Sequence, residues 1–328
     1  MILTVTLNTA LDLTHHVPQL VPHTSHRVTA VTERPGGKGL NVARVLAALG
    51  HETVITGFAG GPTGEVLRGL LAAEAAKVAD AGAAGAAAGA GAAEAGRRTP
   101  TDALVPISGN TRRTLAIVDG STGDTTQLNE PGPAVSPAEW DAFLASYGQL
   151  LGGASAVALC GSLPPGIHVG AYADLIRLAR TAGVPVLLDT SGEPLLRGIA
   201  ARPDLIKPNL EELAQLTGSR DPLTATADAR RRGAQTVIAS LGPDGMLAAT
   251  ESGTWQAHPP DLIRGNPTGA GDSAVAALLA GLVENLPWPD RLARAVALSA
   301  ATVAAPAAGE FDAATYASLL PQVKVTQL

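Results

Sequence analysis

The chain has a single cysteine and few aromatic residues. Lone Cys160 excludes an intrachain disulfide and fits a reducing compartment. It follows Ala156-Val157-Ala158-Leu159, so it reads as a buried strand residue, not a nucleophile. Aromatics make up 3% of the residues, so packing falls to Ala, Leu and Val. No long basic run is present, and 23 Lys+Arg against 29 Asp+Glu give a net charge of −6. That argues against nucleic acid as the main partner, while a few local Arg or Lys residues suffice for a small anion. No apolar run approaches the roughly 20 residues needed to cross a bilayer. The first seven residues are too short, and lack the basic flank, for a signal peptide. A membrane partner is therefore not expected, and the expected location is cytoplasmic.

What is present is a well-filled α/β pattern. Hydrophobic residues make up 46% and charged residues 16% of 328 positions, a length compatible with one α/β unit. From Pro133 onward strands and helices alternate, which implies a mainly parallel sheet covered on both faces. Strands are expected at 2–7, 53–58, 115–118, 125–128, 156–160, 184–188, 204–206, 236–239 and 246–249. Helices are expected at 137–150, 170–182, 210–216, 272–284 and 289–305. A helix starting near Gly64 is expected to end at Glu74. The almost pure Ala and Gly of 75–96 reads as a flexible insertion, because repeated Gly opposes the helix that Ala favours.

The chemistry concentrates in Asn266-Pro267-Thr268-Gly269-Ala270-Gly271-Asp272-Ser273, followed by the apolar run 274–282. Small residues at a helix start bring backbone N–H groups and a favourable dipole to an anion. Asp272 would repel that anion unless it takes a proton from an attacking hydroxyl, so the segment points to phosphoryl transfer. The same segment also reads as a strand-to-helix loop whose Asp caps a helix. Asp12, close to a strand end, reads equally as a ligand contact or a turn residue. Pro35-Gly36-Gly37-Lys38-Gly39-Leu40-Asn41 is a Gly-rich helix start with Lys38 and Asn41 available, but it is not a Walker A loop. Arg112 and Arg113 are a solvated edge or a bidentate phosphate grip. Asn209 and Glu212 read as a helix N-terminus with a capping glutamate, or as a pair facing a ligand. The histidines at 15, 16, 23 and 26 lack a zinc-like arrangement with cysteines.

Five motifs then occur in one order: Gly36-Gly37-Lys38-Gly39-x-Asn41-Val42-Ala43; Gly161-Ser162-Leu163-Pro164-Pro165-Gly166; Lys207-Pro208-Asn209-x-x-Glu212; Ser240-Leu241-Gly242-x-Asp244-Gly245; and Thr268-Gly269-Ala270-Gly271-Asp272. Together they resemble the PfkB, ribokinase-like, carbohydrate kinases. Asn8-x-Ala10-x-Asp12 and Asn129-Glu130-Pro131-Gly132-Pro133 resemble the branch acting on sugar phosphates: 1-phosphofructokinase, tagatose-6-phosphate kinase and the minor 6-phosphofructokinase.

The resemblance implies a ribokinase-like core over 1–8, 35–98 and 132–328, and a small β lid over 9–34 and 99–131 that often forms a dimer contact. It implies Asp272 as base and Gly269, Ala270 and Gly271 as anion hole. Asn209 and Glu212 would organise Mg²⁺ through water beside ATP; Lys207, Ser240, Gly242 and Gly245 would contact the nucleotide. Asp12, Gly37 and Asn41 would bind sugar hydroxyls and Arg112 the sugar phosphate, with Lys38, Arg27 and Ser162 at the same end. Fructose 1-phosphate is the implied acceptor, with tagatose 6-phosphate or fructose 6-phosphate as alternatives; a catalytically silent regulator on the same fold is the reading from another class. The chain departs from the branch at Thr111-Arg112-Arg113-Thr114, where many relatives have Thr-Arg-x-Asn, and Arg113 would add a charge near the sugar phosphate.

Overall fold

The computed structural model describes residues 1–88, 98–260, 263, 265–305 and 307–328, with side chains of 81–88 left out. In chain order the elements are β1 (Ile2–Thr6), β2 (Ala10–Val17), β3 (Ala30–Gly36), α1 (Lys38–Ala48), β4 (Thr53–Gly60) and α2 (Gly61–Ala88). Next come β5 (Thr101–Asp102), β6 (Val105–Ile107), β7 (Arg112–Asp119), β8 (Thr125–Asn129) and α3 (Pro137–Leu151). The alternating part holds β9 (Ala156–Cys160), α4 (Ala171–Thr181), β10 (Val186–Asp189), α5 (Gly192–Ala200), β11 (Leu205–Ile206), α6 (Leu210–Thr217), α7 (Pro222–Arg232) and β12 (Thr236–Ser240). It closes with β13 (Met246–Thr250), β14 (Gly253–His258), α8 (Ala270–Val283), α9 (Trp288–Val303), α10 (Ala313–Leu319) and β15 (Lys324–Gln327).

An 11-stranded sheet runs β15-β14-β13-β12-β11-β10-β9-β1-β4-β5, with β6 also pairing β4. From β12 to β5 the pairing is parallel, and β13, β14 and β15 add an antiparallel edge. The inner strands β1 and β9 are buried at every residue, as expected where helices cover both faces. Phe143, Tyr147, Leu175 and Ile199 belong to the core on one face; Val42, Leu278 and Leu298 belong to the core on the other. This is the mainly parallel, helix-flanked α/β sheet expected. Parallel strands also put their carboxyl ends on one edge, where Gly161, Asp189, Lys207 and Leu241 leave β9, β10, β11 and β12.

A separate four-stranded sheet, β3-β2-β7-β8, stands beside this edge. Its centre is a parallel pair in which Ala10 faces Arg112 and Asp12 faces Thr114. Two expectations change here. β5 and β6, within the span assigned to the lid, pair with β4 of the large sheet instead. The helix expected to stop at Glu74 runs on to Ala88. Once a helix is nucleated, each added residue costs little, so alanine outweighs the scattered glycines over 75–88; the rest of the Ala/Gly segment, 89–96, lies outside the described residues.

Tyr172 ties α4 to the site edge. Its hydroxyl lies 3.0 Å from both the Cys160 and the Gly161 carbonyl oxygens, and its ring is fully buried. Tyr172→Phe is expected to destabilise the fold by about 1–2 kcal/mol, since it removes the donor to buried acceptors. Denaturant unfolding measures this; an unchanged midpoint would show that the carbonyls find another partner.

Candidate active site

Helix α8 is apolar and buried from Asp272 to Gly281, so its N-terminus is fixed from behind by packing. Gly269 precedes it in a left-handed conformation, φ 86°, and a Cβ there would press on the backbone of Ala308 at 3.0 Å. The Ala270 amide donates to the Pro267 carbonyl at 3.1 Å. Of the three amides expected to form an anion hole, that of Ala270 is engaged in this way; in this segment, among the described residues, the amides of Gly269, Gly271 and Asp272 have no backbone partner. The Lys207 ammonium stands 3.4 Å from where a Gly271 Cβ would lie, which puts a cation at this helix end.

Four charged groups meet at this edge. Asp189, 2% exposed, lies 3.3 Å from Lys38 Nζ and 3.5 Å from Lys207 Nζ. Burial pushes the Asp189 carboxyl up, but Lys207 and Lys38 more than offset this and hold it below the usual range. Burial likewise opposes the Lys38 charge, yet Asp189 and Asp272 hold the ammonium above its ordinary pKa. Asp272, 7% exposed, is pushed up to about 6 by burial, with Asp189 adding to the rise and Lys38, the Asn41 hydrogen bond and Lys207 countering it. Its Oδ2 accepts from Asn41 Nδ2 at 2.9 Å. A carboxylate titrating near 6 is charged at neutral pH and basic enough to take a proton.

The polar residues of the Gly-rich helix start and of β2 lie next to this group. A Cβ on Gly36 would fall 2.1 Å from the Asp12 carboxyl carbon, so glycine is required there for the carboxylate to sit where it does. Gly37 has φ 118°, a conformation open to glycine, and leads into α1 with Lys38 and Asn41 on its first turns. The Thr114 hydroxyl donates to Asp12 Oδ1. Burial raises the Asp12 pKa, while that bond and Arg44, Arg112 and Arg34 work against it.

Arg112 is held by the Asn8 and Glu130 carbonyls, each at 3.2 Å, and Asn8 Nδ2 reaches Ser162 Oγ at 3.2 Å. Asp12, Arg112 and Ser162 are thus linked through β2 and Asn8. Arg113 points the other way, with its guanidinium 2.8 Å from Glu130 Oε1. Alternation along β7 turns it from Arg112, so the extra charge expected near a substrate phosphate is neutralised elsewhere. Arg27 is exposed between β2 and β3, with no hydrogen bond to this cluster among the described residues.

Asn209 and Glu212 form a reciprocal capping box at α6: Glu212 N donates to Asn209 Oδ1 at 2.8 Å, and Asn209 N to Glu212 Oε2 at 2.9 Å. The capping reading of this pair is therefore realised. A cavity of about 880 Å³ adjoins it, lined by Asn209, Ser240, Gly242, Gly245, Met246, Gly271, Val296 and Val303. Its size and largely apolar wall suit a planar heterocycle with a polar tail. Gly245 has φ 90°, and a Cβ there would meet the Ala257 carbonyl at 2.0 Å. Packing on β14, rather than ligand contact, is thus enough to require glycine at 245. The sequence reading missed Asp189 and Arg44: one ends an ordinary buried strand, and the other sits in a helix just past the Gly-rich motif, its partners Pro35 and Glu74 arriving from other elements.

Residues 4–96 and 100–314 match the pfkB family carbohydrate kinases. The chain is 39% identical over 307 residues to a 1-phosphofructokinase of Rhodobacter capsulatus, covering 91% of this chain and 90% of that one. It is similar to phosphofructokinase-2 of Escherichia coli in complex with fructose-6-phosphate, at TM-score 0.82 and 28% identity over 98% of each chain. The tetrameric inhibited form of that enzyme is matched at TM-score 0.83 and 29% identity, again over 98% of each chain.

The raised pKa of Asp272 has a cost in stability. With an unfolded-state pKa of about 3.9, the folded protein holds an extra proton between that value and about 6, so stability falls as pH rises through this window. Asp272→Asn, uncharged throughout, is expected to be more stable than wild type by about 2–3 kcal/mol at pH 8 and equal to it near pH 3.5. Unfolding curves at both pH values test this; equal stability at pH 8 would show that Asp272 is not strained.

Proposed function

The chain belongs to the pfkB family of carbohydrate kinases, and we propose that it phosphorylates fructose 1-phosphate on its free primary hydroxyl to give fructose 1,6-bisphosphate. ATP is the phosphate donor that membership of a kinase family implies. The observation that carries the reading is the poised Asp272 at a helix N-terminus, with a sugar-side amide on one side and a lysine on the other. Similarity to the Rhodobacter capsulatus 1-phosphofructokinase favours this acceptor over fructose 6-phosphate or tagatose 6-phosphate.

In this reading Asp272 accepts the proton of the acceptor hydroxyl as its oxygen attacks the terminal phosphorus. The amides of Gly269, Gly271 and Asp272, with Lys207, hold the charge that develops on the transferring oxygens. Lys38 keeps Asp272 ionised and faces the same space. Arg112 grips the phosphate already on the sugar, and Asp12, Asn41 and the Gly37 backbone hold its hydroxyls. The purine lies in the cavity over Ser240, Gly242 and Gly245. Glu212 spends one carboxylate oxygen on its cap and keeps the other, which fits an Mg²⁺ ion held through its water shell rather than directly. When bound, that ion supplies charge neutralisation on the ATP phosphates.

The four-stranded sheet acts as a lid that excludes water from the transfer. Its outer side supports the homodimer reading: Val31 is 54% and Leu128 56% exposed, and every residue of β8 is exposed. No helix among the described residues is long and apolar enough to cross a membrane, and we place the enzyme in the cytoplasm.

The substrate is tested by kcat/KM for ADP release against fructose 1-phosphate, fructose 6-phosphate, tagatose 6-phosphate and free fructose. A preference of at least about tenfold for fructose 1-phosphate is expected; a better rate on another acceptor overturns the assignment. Asp272→Asn should lower kcat by about 10³-fold or more while ATP affinity stays within a few-fold. Arg112→Ala should raise KM for the sugar phosphate by about 100-fold, the loss of one charge-assisted contact. An unchanged KM would remove Arg112 from the phosphate site. In sedimentation, Val31→Glu with Leu128→Glu should convert dimer to monomer; a dimer that persists would place the contact elsewhere.

A further inference from the structure

Arg44 lies on α1 one turn beyond Asn41, and its side chain is only 9% exposed. All of its donor nitrogens are engaged. Nη1 donates to Asn41 Oδ1 at 3.2 Å, Nη2 to the Pro35 carbonyl at 2.7 Å, and Nε to Glu74 Oε2 at 3.0 Å. A second contact, Nη2 to Glu74 Oε1 at 3.3 Å, makes the pairing with Glu74 a fork. The guanidinium thus bridges β3, α1 and α2 and presents one N–H to the Asn41 side chain.

We propose that Arg44 is a positioning residue for phosphoryl transfer: by donating to Asn41 it fixes which end of that amide meets Asp272, and so keeps Asp272 in its proton-accepting state. The argument is one of donor and acceptor chemistry. A guanidinium has no acceptor, so the Asn41 atom beside it must be the carbonyl oxygen. The amide NH₂ must then face Asp272, where it is seen 2.9 Å from Oδ2. The rotated amide would set NH₂ against guanidinium and carbonyl oxygen against carboxylate. The second clash is relieved only if Asp272 takes up a proton and donates it, and a protonated Asp272 cannot act as base. Without Arg44 only the charge on Asp272 itself favours the productive orientation, so proton uptake by Asp272 frees the amide to rotate.

Gly309, at φ 77°, closes over the pair: a Cβ there would stand 3.0 Å from Asn41 Oδ1 and 3.3 Å from Arg44 Cδ. Among the described residues, Asn41 donates the one side-chain hydrogen bond that Asp272 accepts. The other ionisable groups that act on Asp272 come from separate elements: Lys38 on α1, Asp189 at the end of β10 and Lys207 after β11, with Cys160 of β9 coupled to it as well. None of them touches the Asn41 amide. The link rests on the reading of Asp272 as the base.

The test is the pH dependence of kcat/KM, together with the ¹³C titration of the Asp272 carboxyl in nucleotide-free protein. Arg44→Met is expected to move the acid limb and the carboxyl titration upward by about one pH unit, the worth of one hydrogen bond to a charged group. Activity on the acid side should fall about tenfold, through kcat rather than KM. Arg44→Lys, which can still donate to Oδ1, should recover part of the shift. In an Asn41→Ala background, Arg44→Met should add no further shift. If Arg44→Met does not fold, Glu74→Gln, which loosens the fork and leaves the guanidinium, should show the same shift at smaller size.

An acid limb and carboxyl titration that stay in place in these variants would overturn the proposal, as would an equal shift in the Asn41→Ala background. Turnover retained by Asp272→Asn would instead refute the base assignment. With Asp272→Asn inactive and the Arg44 limb unmoved, only the positioning link fails.

Discussion

A buried carboxylate held between two ammonium groups sets the terms for the rest of this site. Asp189 lies at the end of a central strand, 3.3 Å from Lys38 and 3.5 Å from Lys207. Any one of these charges alone in that position would be expensive to bury; together they offset one another. Burial raises the Asp272 pKa, and because Asp189 takes up part of the lysines' field, Asp272 is not driven to the low pKa of an ordinary paired carboxylate. It stays near 6, charged at neutral pH yet still basic. The sheet makes this possible, since parallel strands deliver Asp189 and Lys207 to one edge while α1 and α8 bring Lys38 and Asp272 from the other side.

The same edge separates two jobs by geometry. In the proposed reading, the apolar cavity between the β12 end and helices α8 and α9 takes the heterocycle, and the polar cluster between α1 and the four-stranded sheet takes the sugar phosphate. Asp12 and Arg112 come from adjacent parallel strands of that small sheet, held in register by the pairing of Ala10 with Arg112. In that reading the sugar contacts would move with the sheet, while the proposed base and anion-binding amides belong to the buried helix behind them. Closing the one over the other would complete the site only when the acceptor is present.

Much of this was legible in the sequence where a residue's role is local. The Gly-Ala-Gly-Asp segment, the Gly-rich start of α1 and the capping pair at α6 each act over a few residues, so spacing alone exposes them. Asp189 was not legible as a site residue, because a strand ending in Asp is common and its two lysines arrive from positions 38 and 207. Arg44 was hidden in the same way, since its partners sit on β3, α1 and α2. Arg113 was misjudged because strand alternation, not adjacency, decides where a side chain points. The Ala/Gly stretch was judged by its glycines, but a helix already begun at Gly61 carried it to Ala88.

The central claim is that the Asp189 charge, added to burial, keeps Asp272 basic against the pull of Lys38 and Lys207. It is tested most directly by the pH dependence of single-turnover phosphoryl transfer in Asp189→Asn beside wild type. Removing the negative charge leaves burial alone to oppose Lys38 and Lys207 at Asp272. The acid limb, expected near 6 in wild type, should move to lower pH, and the rate at neutral pH should fall as the base weakens. A limb that stays at its wild-type position would contradict the account.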